Sequence, residues 1–208
     1  MHNPDMREDR PARLACDALA CLRGGRMLFR GLSLDLAPGQ ACHVTGSNGM
    51  GKSSLLRVIA GLLPAYAGTV SLSGRIALAD ERMALDTGQP LARALAHWAR
   101  LDGADEAEIA AALSTVDLAH LAEVPVRFFS TGQRKRALLA RVIISKATIW
   151  LLDEPANGLD TASIARLGEA IAAHRAGGGL VLAASHQPLP MEPTQVLSLV
   201  DFLVAEDA

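Results

Sequence analysis

Gly46-Ser47-Asn48-Gly49-Met50-Gly51-Lys52-Ser53 fits the pattern G-x-x-x-x-G-K-[S/T]. It lies between a short apolar run, Ala41 to Val44, and an amphipathic run, Ser54 to Leu63. A strand feeding a glycine-rich turn and then a helix lets successive backbone N–H groups converge at a helix N-terminus, where they cradle phosphate. Lys52 would reach the β and γ phosphates. Ser53 offers a hydroxyl to Mg2+, a hard cation that takes oxygen ligands in an octahedral shell.

A second constellation follows at Thr148-Ile149-Trp150-Leu151-Leu152-Asp153-Glu154, an apolar, β-rich run that closes in two carboxylates. A buried parallel strand delivers acids to the carboxyl edge of its sheet in this way. Asp153 suits the Mg2+ shell, and Glu154, next along and pointing elsewhere, suits a base that polarises water toward the γ-phosphate. Two merely solvated carboxylates are the alternative, which the phosphate loop disfavours.

Phe129-Ser130-Thr131-Gly132-Gln133 precedes a long helical run to Ser145. Ser130 and Gln133 have the spacing of a capping box, and a capped helix N-terminus is also a phosphate receptor, so both readings hold. With this segment the chain resembles the ABC ATPase family, whose signature is usually L-S-G-G-Q. The resemblance implies an α/β fold: a phosphate-loop core with an antiparallel β subdomain and an inserted helical subdomain. It also implies ATP and Mg2+ as ligands and an ATP-dependent homodimer, in which one protomer's signature completes the site on the other's phosphate loop. The implied nucleotide contacts are Gly46, Ser47, Asn48, Gly49, Met50, Gly51, Lys52, Ser53 and Ser54, with Ser130, Gly132 and Gln133 from the signature. Asn157-Gly158-Leu159-Asp160 resembles the D-loop and adds Asp160. His186, after the apolar run Gly179 to Ala184, resembles the switch histidine, although a lone strand-end histidine is more often structural. Lys52, Glu154 and His186 are then the catalytic set, with Ser53 and Asp153 at the metal.

With 208 residues, half of them apolar, the chain has the size of one α/β domain with an insertion. A formal charge of −2 argues against a broad nucleic-acid-binding face, which needs clustered Lys and Arg. The basic cluster Arg134-Lys135-Arg136 reads first as a solvated helix face. Cys16, Cys21 and Cys42 form no C-x-x-C pair and read as reduced cytosolic thiols, with Cys42 a small buried hydrophobe. Residues 1–13 are charged and contain Pro4 and Pro11, so a loose tail is expected there rather than a signal peptide. Residues 14–208 are expected to form the single ATPase domain, with the helical insertion at about 80–147. No window holds the roughly 18 uncharged apolar residues of a spanning helix, so a pore would come from another chain.

Apolar spacing predicts a hairpin over Leu14 to Leu36 around Gly24-Gly25, then the strand ending at the phosphate loop and a helix from Ser54 to Leu63. Short strands follow at Thr69 to Leu72 and Ile76 to Ala79, and helices at Leu91 to Arg100, Asp105 to Val116 and Ser130 to Ser145. The core resumes with the strand Ile149 to Leu152, the helix Ala162 to His174 and the strand Leu180 to Ala184. Two terminal strands are expected, around Val196 to Val200 and Phe202 to Val204.

Thr45-Gly46-Ser47-Asn48-Gly49, Lys52-Ser53-Ser54-Leu55-Leu56-Arg57, Ser145 through Pro155 and Ser185-His186-Gln187-Pro188 together look like the ATP-binding heme exporter subunits of bacterial cytochrome c maturation, the CcmA family. The similarity runs over about Leu14 to Val200. It implies a peripheral ATPase on the cytoplasmic face of the inner membrane, paired with a membrane permease subunit and heme-handling membrane proteins. Hydrolysis would drive heme export or release of a heme-loaded chaperone. No direct heme site is expected, because the chain has neither a C-x-x-C-H motif nor a Cys-Pro pair. A different single-domain ABC exporter and a non-transport ABC clamp are the alternatives; the clamp is opposed by the lack of tandem modules and of basic surface charge.

Two departures from the family pattern stand out. No aromatic occupies the turn Leu22-Arg23-Gly24-Gly25, where adenine is often stacked; Arg23 could stack instead, whereas the spacing of Phe29 favours burial and Tyr66 lies well after the loop. The usual glutamine after the strand Ile76 to Ala79 is replaced by Asp80-Glu81, with Gln89 beyond. The two acids are expected near the metal, and Gln89 at a helix start or docking surface.

Overall fold

Strands β6 (Ile149–Asp153) and β7 (Leu180–Ala184) are buried along their whole length, the pattern of strands covered on both faces. The computed structural model describes residues 11–80 and 84–203. It places both strands inside a five-stranded parallel sheet, ordered β5-β6-β7-β3-β8, with β3 at Ala41–Thr45, β5 at Ile76–Ala79 and β8 at Gln195–Ser198.

Side-chain alternation splits the core in two. Ile149, Leu151, Leu180 and Leu182 pack on one face, against helix α1 (Lys52–Ile59) and an antiparallel sheet of β1 (Arg13–Arg23), β2 (Arg26–Leu36) and β4 (Ala67–Ser73). Trp150, Leu152, Val181 and Ala183 pack on the other. Their partners there are α2 (Leu91–Asp102), α3 (Glu106–Thr115), α4 (Thr131–Ile144) and α5 (Thr161–Ala176).

Most of the expected elements are present, with informative shifts at their ends. The β1–β2 hairpin pairs Leu14 with Leu36 and Arg23 with Arg26, and Gly24 and Gly25 both take the positive φ of a tight hairpin turn. Helix α1 stops at Ile59 rather than Leu63. Gly61, at φ 72°, ends it in a Schellman motif, with Leu62 N–H donating to Arg57 O and Gly61 N–H to Val58 O. Ala12 is buried and Arg13 already pairs with Asp35 in the sheet, so of the expected tail only residues 1–10 fall outside the described chain. The expectation of two terminal strands is corrected: β8 ends at Ser198 and Leu199–Phe202 form a 3-10 turn. The turn buries Leu199 completely and sets Phe202 against the same core cluster, a gain an extended chain running off the sheet would lose. Val204 lies outside the described residues.

All three cysteines are buried and free. Burial pushes the Cys42 thiol up to about 12, in keeping with an inert hydrophobe.

Trp150 stacks on His174 from α5, with 3.9 Å between ring centroids and 10° between planes. A Cβ at Gly179 would collide with that imidazole. Gly179→Ala should therefore displace His174 and cost about 1–3 kcal/mol in urea unfolding. Burial holds the His174 pKa below its ordinary value, so the unfolded chain takes up the proton first and stability falls as pH drops below about 6.5. His174→Gln should flatten that slope when urea midpoints are compared at neutral and mildly acidic pH.

Candidate nucleotide site

The register of the parallel sheet assembles the site. Val44, Ala184 and Asp153 stand in one row across β3, β7 and β6. The ladder runs one step further, with Ser185 N–H donating to Val44 O at 3.1 Å and Glu154 N–H to Ala184 O at 2.8 Å. The phosphate loop, Glu154 and Ser185-His186 thus emerge side by side at the carboxyl edge, where open α/β sheets bind ligands.

The loop turns through Gly46, Gly49 and Gly51, all at positive φ. Gly51 also lets the loop pass Leu28, whose Cβ would lie 3.1 Å from any Cβ placed there. Lys52 opens α1 and is 5% exposed. Its ammonium has three protons and three acceptors in reach: Gly46 O at 2.7 Å, Ser47 O at 3.2 Å and the Glu154 carboxylate at 3.3 Å.

Glu154 collects the remaining contacts. Its carboxylate accepts from Ser185 Oγ at 3.2 Å and from His186 N–H at 3.2 Å, and it lies 2.9 Å from His186 Nδ1. Burial works to raise the pKa of this acid, but the hydrogen bonds of His186 and Lys52 outweigh it and hold the carboxyl below its ordinary value. It is therefore ionised at neutral pH, as an acceptor of a water's proton must be.

Of the residues singled out in the sequence, Lys52, Glu154, His186 and the carbonyls of Gly46 and Ser47 are in direct contact, while Asp153 is buried beside Glu154 at the strand end. Ser53 and Ser54 follow Lys52 in α1, and Asn48 and Met50 complete the loop, Met50 Sδ accepting from Ser47 N–H. Ser130, Gly132 and Gln133 start α4 and do not touch this cluster. Ser130 and Gln133 form the expected capping box, with bonds of 3.2 and 2.8 Å. Gly132 packs against Gly158, and Asp160 caps α5 by accepting from Ser163 N–H at 2.7 Å. Sequence reasoning missed Ser185, whose hydroxyl meets the carboxylate; its only signal was its place beside His186.

A cavity of about 630 Å3 lies on the far side of Asp153, between α4 and the start of α5, with Thr131, Lys135 and Asn157 in its wall. Ser53 and Asp153 supply hard oxygen donors of the kind Mg2+ takes. No group of three or more His, Cys, Asp or Glu able to hold a metal occurs among the described residues, so a cation here would draw most of its shell from phosphate and water, as Mg2+ commonly does.

Fold and site together define a phosphate-loop ATPase of the ABC type. The ABC transporter family model matches residues 29–157. A relative from Zymomonas mobilis, a cytochrome c biogenesis ATP-binding export protein CcmA, is 54% identical over 92% of this chain and 86% of its own length. One of the same name from Novosphingobium aromaticivorans is 53% identical over 91% and 96%. A solved structure from Pyrococcus furiosus, described as a candidate ABC transporter ATP-binding protein, shares the fold with a TM-score of 0.81 at 22% identity, over 92% of this chain and all of that one. The chain belongs to the ABC transporter ATP-binding family and, within it, to the CcmA-type proteins.

The departures in the sequence resolve unequally. Phe29 is fully buried, which removes it as an adenine platform, and Arg23 is exposed at the hairpin tip. Asp80, expected near the metal, lines the same cavity as Asp153 and gives its carboxylate to Arg57 of α1, with bonds of 3.1 and 3.3 Å. Glu81 lies outside the described residues. Gln89 precedes α2, its carbonyl accepting from Val126 N–H. Asp80→Ala should cost about 1–3 kcal/mol of stability and leave the Mg2+ requirement of turnover unchanged, measured by urea unfolding and by Mg2+ titration of ATPase rate.

Proposed function

We propose that this chain is the ATP-hydrolysing subunit of a membrane exporter of c-type cytochrome biogenesis. The observation that carries the chemistry is the meeting of Lys52, Glu154 and His186 at one sheet edge. The names of the relatives carry the pathway. In this reading the backbone N–H groups of the phosphate loop and Lys52 hold the β and γ phosphates of ATP. Ser53 and Asp153 would hold Mg2+, which neutralises phosphate charge when bound. Glu154 then orients and polarises the attacking water, with His186 and Ser185 fixing the carboxylate's direction.

Ser130 and Thr131 are exposed at the N-terminus of α4, with Gly132 and Gln133 half-buried behind them, and none of them touches its own protomer's loop. A second copy could bring them onto the γ-phosphate, with Asp160 at the same face, and the reading includes such an ATP-dependent dimer. Among the described residues no helix is long and apolar enough to cross a membrane. The reading accordingly includes a permease subunit and heme-handling membrane proteins at the inner membrane's cytoplasmic face. ATP turnover there would drive heme export or release of a heme-loaded chaperone.

Lys52→Ala should abolish productive ATP binding, whereas Glu154→Gln should keep binding and lose turnover by about a hundredfold or more. Size-exclusion of the Gln variant with Mg-ATP should show a dimer; a protein that binds ATP but stays monomeric at high concentration would contradict the two-copy site. In cells, the Glu154→Gln strain should lose covalently bound heme from its membrane c-type cytochromes, detected by heme staining. Normal staining would favour a different exporter.

A further inference from the structure

Glu154 is held in an unfavourable backbone conformation, at φ 46°. A residue with a Cβ costs about 1 kcal/mol or more there, and the following Pro155 further favours an extended residue at this position. Such a conformation persists only where the surroundings over-determine it. Here both flanking peptide groups are clamped. The Glu154 N–H donates to Ala184 O, and its carbonyl accepts from Asn157 N–H at 3.3 Å. The same carbonyl accepts a shorter bond of 2.6 Å from the Lys135 ammonium. Lys135 belongs to α4, on the helical side of the core, and is the one element of this clamp that comes from outside the strand edge and its turn.

We propose that Lys135 is a positioning residue for ATP hydrolysis: its charge-assisted bond to the Glu154 carbonyl fixes the strained peptide and with it the direction of the Glu154 carboxylate. The proposal rests on Glu154 acting as the base. A charged donor binds a carbonyl more strongly than a neutral one, so the lysine outranks Asn157 N–H in holding the peptide. Removing it lets residue 154 relax toward the extended region, which swings the carboxylate away from Ser185 and His186. Lys135 touches neither Lys52 nor the loop, and a carboxylate swung off Ser185 and His186 competes no better for Lys52, so nucleotide binding is not weakened and the loss falls on the chemical step. The helix that carries the signature residues also carries this lysine one turn later, so a displacement of α4 reaches the base directly. The sequence hid this: Arg134-Lys135-Arg136 reads as a solvated helix face.

The test compares purified Lys135→Met, Lys135→Arg, Glu154→Gln and the Lys135→Met/Glu154→Gln double variant for kcat, KM for ATP and Tm. Lys135→Met should lower kcat about tenfold or more, with KM for ATP raised by no more than about twofold and Tm close to wild type. Lys135→Arg, which keeps a charged donor, should restore most of the rate. In the Glu154→Gln background the residual rate should be insensitive to Lys135→Met, because the two act as a unit. Wild-type kcat in Lys135→Met, or a loss that tracks Tm and is not rescued by Arg, overturns the proposal while leaving Glu154 as the base. Should Lys135→Met fail to fold, the Arg variant decides: a kcat near wild type supports the bond, and a large loss in a stable Arg variant contradicts it. High turnover in Glu154→Gln alone removes the base, and the proposal with it.

Discussion

The contact between the Lys52 ammonium and the Glu154 carboxylate organises this molecule's working edge. Lys52 stands at the first turn of α1 and Glu154 one residue beyond β6, and the pair closes the phosphate loop onto the neighbouring strand. Lys52 is almost wholly buried, so its charge must be met by acceptors, and a phosphate entering the loop would compete with Glu154 for the same three protons. The carboxylate that this releases is the one facing His186 and Ser185. Substrate binding and placement of the base are thereby linked through one cation.

That link depends on the sheet behind it. Parallel pairing of β3, β7 and β6 in matched register brings three loops to one row, and burial of both sheet faces keeps the register from slipping. The two cores hold different parts of the site. The β1–β2–β4 side packs α1 and so Lys52, whereas the helical side packs α4 and α5, with the signature cap, Asp160 and Lys135. Glu154 lies where the two meet, held through its side chain by one and through its carbonyl by the other.

The features legible in the sequence were those set by local chemistry. The glycines and Lys52-Ser53 identified the loop, the apolar run into Asp153-Glu154 identified β6, and Ser130 with Gln133 identified a cap that the structure reproduces bond for bond. What escaped was decided by distant partners. Asp80 gave no sign that Arg57, 23 residues earlier, would engage it. Trp150 counted as one apolar residue of its strand and as a family mark until its stack on His174 and the gap left by Gly179 appeared. The second terminal strand was expected from apolar residues alone, but Leu199 and Phe202 satisfy their burial by turning onto the core. Backbone strain at Glu154 has no sequence signature beyond the proline that follows it.

Glu154 and phosphate compete for the Lys52 ammonium. Titrating ADP calorimetrically into wild-type protein and the Glu154→Gln variant measures this without turnover. Removing the internal anion should tighten ADP binding in the Gln variant, whereas equal or weaker binding would show that Lys52 is free of such competition.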